Sequence, residues 1–451
     1  MNTNTARAKK RKSLHPQTIR VQHRLATQTK QGRKHWDLFR WLCDPFLLCD
    51  AIQRVIDNSG SAGLDGLGVE ELKGKEWSYA TKLSKQLKMK TYQPGPVRRV
   101  YIPKADGRER PLGIPNIEDR VVQTALLILL EPIYEQEFLP CSYGFRPNRR
   151  AVDCAADVAN TVFKYRHVLD ADIESFFDRV SHKKLIGMLK EQIVDPRILH
   201  LIHQILKTGF KEVNKPWQPT PEGTPQGGPL SPLLANIYLH YGLDKKVEDV
   251  KAQGLDIHLF RFADDFVIAA RTKRDLDLAS KWLNYWMREV KLTLKGSKTT
   301  RVNMKNRSRN HDAKFTFLGF KFHLRAFRDN PKRFWVARQP SEKARKQLHQ
   351  ALREKLLPHH TLEQARKLAK EIWLGWANYF RYSNANRVFY REVRSVHKAL
   401  VRYLRRKYRQ QRRPVAWRRL WPLLRHLKAG LRPVRVIPDL VRQRQVQTNL
   451  F

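Results

Sequence analysis

Two short acidic clusters carry the chemistry this sequence could do. Phe262-Ala-Asp-Asp265 sits between the apolar runs Leu259-Phe-Arg-Phe262 and Phe266-Val-Ile-Ala-Ala270. An Asp-Asp pair in a turn is commonly just solvated, but aromatic and β-branched flanks argue that this hairpin is buried. Buried adjacent carboxylates are costly unless paired or bound to cations. Each raises the other's pKa, and a divalent cation removes that penalty. Hard oxygen ligands with open positions suit Mg²⁺ carrying phosphates. The second cluster is Asp170-Ala-Asp-Ile-Glu-Ser-Phe-Phe-Asp178, a strand running into a turn, with Asp172 at the strand end. Asp172, Asp264 and Asp265 could together hold two Mg²⁺ ions, or Mn²⁺ in their place, roughly 4 Å apart. Such a pair serves in-line phosphoryl transfer: one ion activates a 3′-hydroxyl and the other steadies pyrophosphate.

The charge balance points to the same substrate class. The 451 residues include 88 Lys+Arg against 42 Asp+Glu, a net charge of +46. Self-repulsion on this scale opposes a compact state unless a polyanion neutralises it. Nucleic acid is the first inference and an anionic membrane surface the second. Hydrophobic residues at 41% and aromatics at 10% suffice for real cores, which excludes a disordered basic tail. The length suggests two to four domains. The longest apolar stretch, Thr124 to Leu130, is too short to span a bilayer, and with the acids pointing to phosphoryl transfer no membrane partner is expected. The polar, basic start has no apolar signal region, which suggests a cytoplasmic, nucleoid-associated protein. Four cysteines lack CxxC spacing and no HExxH occurs, so buried reduced thiols and no zinc are expected.

Positioning the acids requires the following elements. Residues 1–40 hold eleven Lys/Arg and one acid, and read as a loosely ordered basic arm leading into a helix. A helix from Pro45 meets a Gly-rich turn, Asn58 to Gly66. Alternation over Val97 to Ile102, a turn at Lys104-Ala-Asp-Gly107 and a return through Ile114 read as a β-hairpin. Helices are expected near 117–138 and 148–164, then a buried strand from His167 to Ile173. One helical stretch covers 182–209 and precedes a Pro/Gly-rich loop at 215–232. Helix resumes at Leu233 to Tyr241, a hairpin spans Ile257 to Ala270, and a helix covers 273–291. Strands are expected at Lys314 to Leu324 and Phe334 to Arg338. Residues 341–408 are helical in pattern. Mixed strands and helices followed by helices alone give an α+β body with an appended helical domain.

Five segments in order resemble a group II intron-encoded reverse transcriptase/maturase. They are Ile102-Pro-Lys104 through Arg110-Pro-Leu-Gly-Ile-Pro115 with Asp119-Arg120, then Ser142-Tyr-Gly-Phe-Arg-Pro147, then Asp172 through Asp178. Gly223-Thr-Pro-Gln-Gly-Gly-Pro-Leu-Ser-Pro-Leu-Leu-Ala-Asn236 follows. The last is Phe262-Ala-Asp-Asp265 with Ser297-Lys-Thr299 and Phe317-Leu-Gly-Phe320. Phe262 stands where the family more often has Tyr. The resemblance covers about residues 46 to 410. It implies a right-hand polymerase fold, with fingers and an antiparallel palm sheet, then an all-helical thumb. The implied divisions are a basic arm (1–45), an N-terminal extension (46–96), fingers and palm (97–325), thumb/maturase (335–410) and a basic DNA-binding tail (411–451).

The resemblance also implies roles. Asp172, Asp264 and Asp265 would be catalytic metal ligands, with the Ile173 carbonyl a further oxygen. Phe177 would be the steric gate that excludes a 2′-hydroxyl. Gln226 would line the nucleotide pocket, Lys104 and Arg110 would fold over the triphosphate, and Lys298 would lie near the leaving pyrophosphate. Arg146, Asn378, Arg381, Arg405, Arg406 and Lys407 would contact nucleic acid, with Arg412, Arg413, Arg418 and Arg419 continuing the contact into the tail. Residues 393–438 hold fifteen Lys/Arg and no acid, interleaved with Tyr408, Trp417 and Trp421, a composition suited to phosphate contact and base stacking. Trp376 and Phe380 read as helix-bundle core. The family's HNH endonuclease has no counterpart in the last 50 residues, which hold one His and no Cys. The implied partners are group II intron RNA or another RNA template, primer or target DNA, and dNTPs. A related reverse transcriptase serving repair or defence without an intron, or an RNA-binding splicing cofactor alone, is compatible with the same segments.

Overall fold

The computed structural model describes residues 13–103, 109–212, 214–304, 313–326, 330 and 334–409. Lys104, Arg412, Arg413, Arg418 and Arg419 lie outside the described residues. The chain begins with α1 (Pro16–Lys30), α2 (Leu38–Leu42), α3 (Pro45–Asn58) and α4 (Glu76–Lys88). Helix α1 occupies the segment expected to be a loose arm. Its buried face is Thr18, Val21, Leu25 and Thr29, correctly spaced for a helix but half threonine. The apolar period is therefore faint in the sequence although the helix packs on the body.

Strands β1 (Val97–Pro103) and β2 (Glu109–Ile114) form the expected antiparallel hairpin. Helices α5 (Ile117–Glu137) and α6 (Ala151–Val162) then lead to β3 (His167–Asp172). The Gly-rich stretch is fastened to the start of α5. The Asn116 Oδ1 accepts from the Leu64 amide at 2.9 Å, and a Cβ at Gly63 would lie 2.5 Å from that oxygen, so only glycine fits there.

The single helix expected over 182–209 is two, α7 (His182–Leu189) and α8 (Pro196–Lys207). Pro196 cannot continue a helix but suits its first turn, and the Asp195 carboxylate caps α8 by accepting from the Arg197 amide at 3.0 Å. A two-residue strand, β4 (Phe210–Lys211), runs parallel to β1. Helix α9 (Ser231–Leu239) passes through a π-helical turn, His240–Asp244, into α10 (Lys245–Ala252).

Strands β5 (Ile257–Phe262) and β6 (Asp265–Ala270), helix α11 (Lys273–Glu289) and strand β7 (Thr300–Asn303) complete the central part. Its four-stranded antiparallel sheet has the order β5-β6-β3-β7. The strand expected over 314–324 is a hairpin of β8 (Lys314–Phe317) and β9 (Phe320–Ala326). Leu318 and Gly319 between them have φ of +50° and +78°, which turns the chain. Strand β10 (Phe334–Pro340) adds to β9, and α12 (Glu342–Lys355), α13 (Leu362–Phe380) and α14 (Asn386–Arg409) follow as the expected helices.

Alternation along the strands assigns the two faces of the central sheet. Leu169, Ala171, Phe266 and Ile268 enter one core with α3, α5, α9 and α11. Val168, Val267, Ala269 and Phe260 enter a second core with α6, the β8–β10 sheet and α12–α14. By the period of two, Asp170, Asp172 and Asp265 share this second face, beyond its apolar residues. Among the described residues no helix is long and apolar enough to cross a membrane.

Candidate active site

Phe262 pairs with Asp265 across a two-residue turn, Ala263-Asp264. Ala263 has φ +58°, a left-handed conformation that a tight hairpin needs at its first central residue and that glycine ordinarily supplies. The β3–β6 register sets Asp265 directly opposite Asp172. The Ile173 amide donates to the Asp264 carbonyl at 3.3 Å, tying the exit of β3 to the turn. Asp172, Asp264 and Asp265 thus stand at two strand ends at one corner of the sheet.

Burial pushes Asp265 up to about 8, with Asp170 and Asp172 adding to it. Burial followed by Asp172 raises Asp264 as well. Asp170, one pleat further along the same face, is driven to about 7 by burial; Lys298 pulls it back down and Asp172 pushes it up. The sequence shows Asp170 in the acidic cluster, but only the shared strand face reveals that it adds to this field. Lys298 Nζ forms an ion pair with Asp172 Oδ2. Burial alone would lower the Lys298 pKa, but the hydrogen bond to Asp172 and the charges of Asp172, Asp265 and Asp264 together outweigh it and the net direction is upward. Lys298 therefore reaches the acids, and one oxygen of Asp172 is already engaged. Among the described residues no three Asp, Glu, His or Cys side chains converge on a single point.

The turn is held from behind by a group no motif advertises. Arg261 is fully buried, and each of its five N–H groups has an acceptor. Its Nε and Nη2 donate to the two oxygens of Asp244 at 2.7 and 2.5 Å. Nη2 also donates to Ser142 Oγ at 2.8 Å. Nη1 reaches Asn236 Oδ1 at 3.0 Å and the Ala263 carbonyl at 3.2 Å. Asp244 is itself fully buried, at the end of the π-helical turn. One guanidinium thereby joins the Ala263-Asp264 turn to the 142–147 and 223–236 segments. Arg261 was legible only as a cation inside a buried strand, a placement that requires a buried acid.

A second constellation lies at the loop before α9. Arg110 Nε donates to Gln226 Oε1 at 2.9 Å, and Gln226 Nε2 donates to Asp178 Oδ1 at 3.2 Å. The Gln226 carbonyl accepts from the Gly113 amide of β2 at 2.7 Å, and a Cβ at Gly227 would fall 2.5 Å from the Gly113 carbonyl. On the other side the Thr224 amide donates to the Phe177 carbonyl at 2.6 Å. Phe177 is 8% exposed and packs edge-on to Phe176 at 5.5 Å. The loop is thus locked between the β1–β2 hairpin and the Phe177 turn, and it brings Arg110, Gln226 and Phe177 together. Asp178, which orients the Gln226 amide, was not singled out from the sequence.

Residues 102–322 match the family model of the reverse transcriptases (RNA-dependent DNA polymerases), and residues 343–421 match the group II intron maturase-specific domain. Protein YkfC of Escherichia coli K12 is 32% identical over 365 residues, covering 72% of this chain and 93% of that protein. The chain belongs to the group II intron reverse transcriptase/maturase family. Group II intron-encoded protein LtrA of Lactococcus lactis subsp. cremoris is 40% identical over 215 residues, which is 48% of this chain but only 35% of LtrA's length. A solved telomerase from Candida albicans aligns over 82% of this chain and 71% of its own at a TM-score of 0.41 and 13% identity, too distant to add to the fold assignment.

Reverse transcriptases work with divalent metal ions, and carboxylates are the hard oxygen donors such ions take. Carboxylates that burial and mutual repulsion hold above their ordinary pKa, on the open end of a sheet face, are stabilised by a bound dication. Asp172, Asp264, Asp265 and the Ile173 carbonyl could supply oxygens.

The family binds RNA templates, and the residues expected to contact nucleic acid divide into two groups. Asn378 is exposed, Arg405 is exposed, and Arg381 is half-buried with its guanidinium 5.4 Å from the Tyr382 ring. Arg406 and Lys407 are turned partly to structural work: they donate to the carbonyls of Leu356, Pro358 and His360 between α12 and α13. Arg146 departs from the expectation. Its side chain is buried, pairs with Glu135 at 2.9 Å, donates to the Leu139 and Ser142 carbonyls and lies over Phe138. Every nitrogen of that guanidinium is engaged by the protein, so it is a brace and not a nucleic-acid contact. In α13, Trp373 and Phe380 are buried, and Trp376 Nε1 donates to the Ala344 carbonyl at 3.1 Å, as a bundle core requires.

Proposed function

We propose that this chain is an RNA-directed DNA polymerase that binds group II intron RNA, assists its splicing and copies it into DNA. The observation that carries the reading is the register of β3 against β6, which faces Asp172 with Asp265 and leaves Asp264 at the turn between strands. Asp172, Asp264, Asp265 and the Ile173 carbonyl would hold two Mg²⁺ ions. Bound there, the ions supply the positive charge that lowers the pKa of the primer 3′-hydroxyl and neutralises pyrophosphate. The remaining work falls to side chains of this chain. Arg110, and with it Lys104, binds the triphosphate from the hairpin side. Gln226 orients the nucleotide from the locked loop. Phe177, packed on Phe176, places a ring where a ribose 2′-hydroxyl would need space. Lys298, already a charged donor beside Asp172, holds a proton where the departing pyrophosphate requires one. The exposed cations of α14 and the basic residues beyond it engage RNA and target DNA mainly through phosphates, so binding weakens steeply with salt.

Purified protein should extend a DNA primer on an RNA template in Mg²⁺, and Asp264→Ala should reduce the rate at least a thousandfold while RNA binding persists. Wild-type protein that extends no primer on any template would remove the polymerase reading.

A further inference from the structure

We infer that Phe145 is a stacking platform for the nucleic-acid strand that passes the catalytic turn. The inference rests on the polymerase reading for its ligand, but on separate observations for its site. Phe145 is 55% exposed and has φ +57°. A single exposed apolar residue is ordinary. A bulky aromatic held in the left-handed region is not, and such strain persists only where the surroundings impose it.

The surroundings do impose it. Before Phe145, the Tyr143 amide donates to the Arg261 carbonyl at 2.8 Å, and the Gly144 carbonyl accepts from Asn236 Nδ2 at 2.7 Å. Gly144 is pressed so closely on the catalytic turn that a Cβ would lie 2.4 Å from the Ala263 nitrogen. After Phe145, the Arg146 guanidinium is fixed by Glu135 and two carbonyls. Both neighbours are drawn inward, and the ring between them is forced outward, one residue from the point where this segment touches the Ala263 backbone.

The neighbourhood supplies a cation. Arg149 lies over the Tyr143 ring at 5.2 Å and donates to the Pro140 carbonyl, with no acid among those contacts, whereas exposed Arg150 pairs with Asp153 at 2.8 Å and sits 5.6 Å from the ring of Tyr382, in the turn after α13. The segment therefore links the Ala263 turn to the helical domain and carries an exposed aromatic with Arg149 and Arg150 within six residues. Aromatic rings beside guanidinium groups bind nucleic-acid strands by stacking on bases or sugars while the cations hold phosphates. Stacking is indifferent to base identity, as a polymerase that copies any sequence requires.

The test measures affinity of the full-length protein for a labelled RNA–DNA template–primer duplex, without nucleotide, by fluorescence anisotropy. Phe145→Ala and Phe145→Gly should each weaken binding about tenfold, and Phe145→Tyr should stay within about twofold of wild type. Phe145→Gly relieves the positive φ, so its melting temperature should hold or rise, which separates lost stacking from misfolding. Unchanged duplex affinity in Phe145→Ala overturns the inference, and so does a variant that keeps duplex affinity but loses self-association on gel filtration. Primer extension by the wild type tests the polymerase reading independently. Extension without any effect of residue 145 on binding removes only the stacking role.

Discussion

The Arg261–Asp244 pair gives the sharpest test of how this fold holds its reacting groups. Both side chains are fully buried, and all five Arg261 N–H groups are satisfied, two of them by Asp244. Asp244→Ala removes the only anion among those acceptors and strands a cation. Breaking a buried pair in this way costs about 3–5 kcal/mol. For a cooperative unit of 150–250 residues that lowers the melting temperature by about 6–20 °C. Replacing both partners, Asp244→Leu with Arg261→Met, removes the stranded charge and should restore most of that stability. It should not restore activity. The Ala263 carbonyl, Ser142 Oγ and Asn236 Oδ1 would still lack the donor that positions them, and the left-handed Ala263 would lose its restraint. Thermal or urea denaturation and primer extension on the same three proteins check this. An Asp244→Ala variant melting within about 2 °C of wild type refutes the energetic reasoning, and a double variant with wild-type extension rates refutes the positioning role.

Three further outcomes follow from particular contacts. Asp178→Ala should raise the KM for dNTPs about tenfold with little change in kcat, because the Gln226 amide loses the acceptor that orients it; Asp178→Asn keeps an acceptor oxygen and should rescue most of the loss. Phe177→Ala should admit ribonucleotides, and steady-state ratios of rNTP to dNTP incorporation that stay at the wild-type value would remove its gate role. His240 is fully buried, with neither ring nitrogen hydrogen-bonded, and burial lowers its pKa from 6.5 to about 3. Below pH 6.5 the unfolded chain takes up a proton that the folded chain refuses, so stability falls as pH drops from about 6.5 toward 3. The loss by pH 4.5 is about 2–3 kcal/mol, and His240→Phe should flatten that part of a melting-temperature–pH profile.

The sequence carried the candidate acids but not the groups that position them. Asp172, Asp264 and Asp265 are legible because carboxylates inside apolar strands need a reason to be there, and the β-hairpin alternation fixes which residue ends each strand. The helices from 117 onward are legible from long apolar periods. The break before Pro196 and the turn at Leu318-Gly319 are local backbone events inside continuous apolar runs, where periodicity is blind. Helix α1 was hidden because threonines carry half of its buried face. Arg146 and Arg261 show a deeper limit. In a chain with 88 cationic residues, composition cannot separate those facing phosphate from those spent on buried acids. Only the acceptor inventory around each guanidinium does.

That inventory changes what the excess charge means. Arg146 and Arg261 neutralise Glu135 and Asp244 within the body and leave nothing for a ligand. Glu392 is likewise fully buried between Arg345 at 2.6 Å and His349 at 2.5 Å, bracing α14 against α12. Glu135, Asp244 and Glu392, each paired with an arginine, hold elements together, whereas Asp264 and Asp265 sit where burial and their acidic neighbours raise their pKa. On the proposed function, stability and chemistry fall largely to different carboxylates. Removing charge from the first set should weaken the fold. Removing it from the second, as in Asp264→Asn, relieves repulsion in a desolvated cluster and should leave the metal-free melting temperature unchanged or higher while extension is lost. A metal-free Asp264→Asn protein that melts well below wild type would show that the acid cluster also holds the sheet together, and the division would fail.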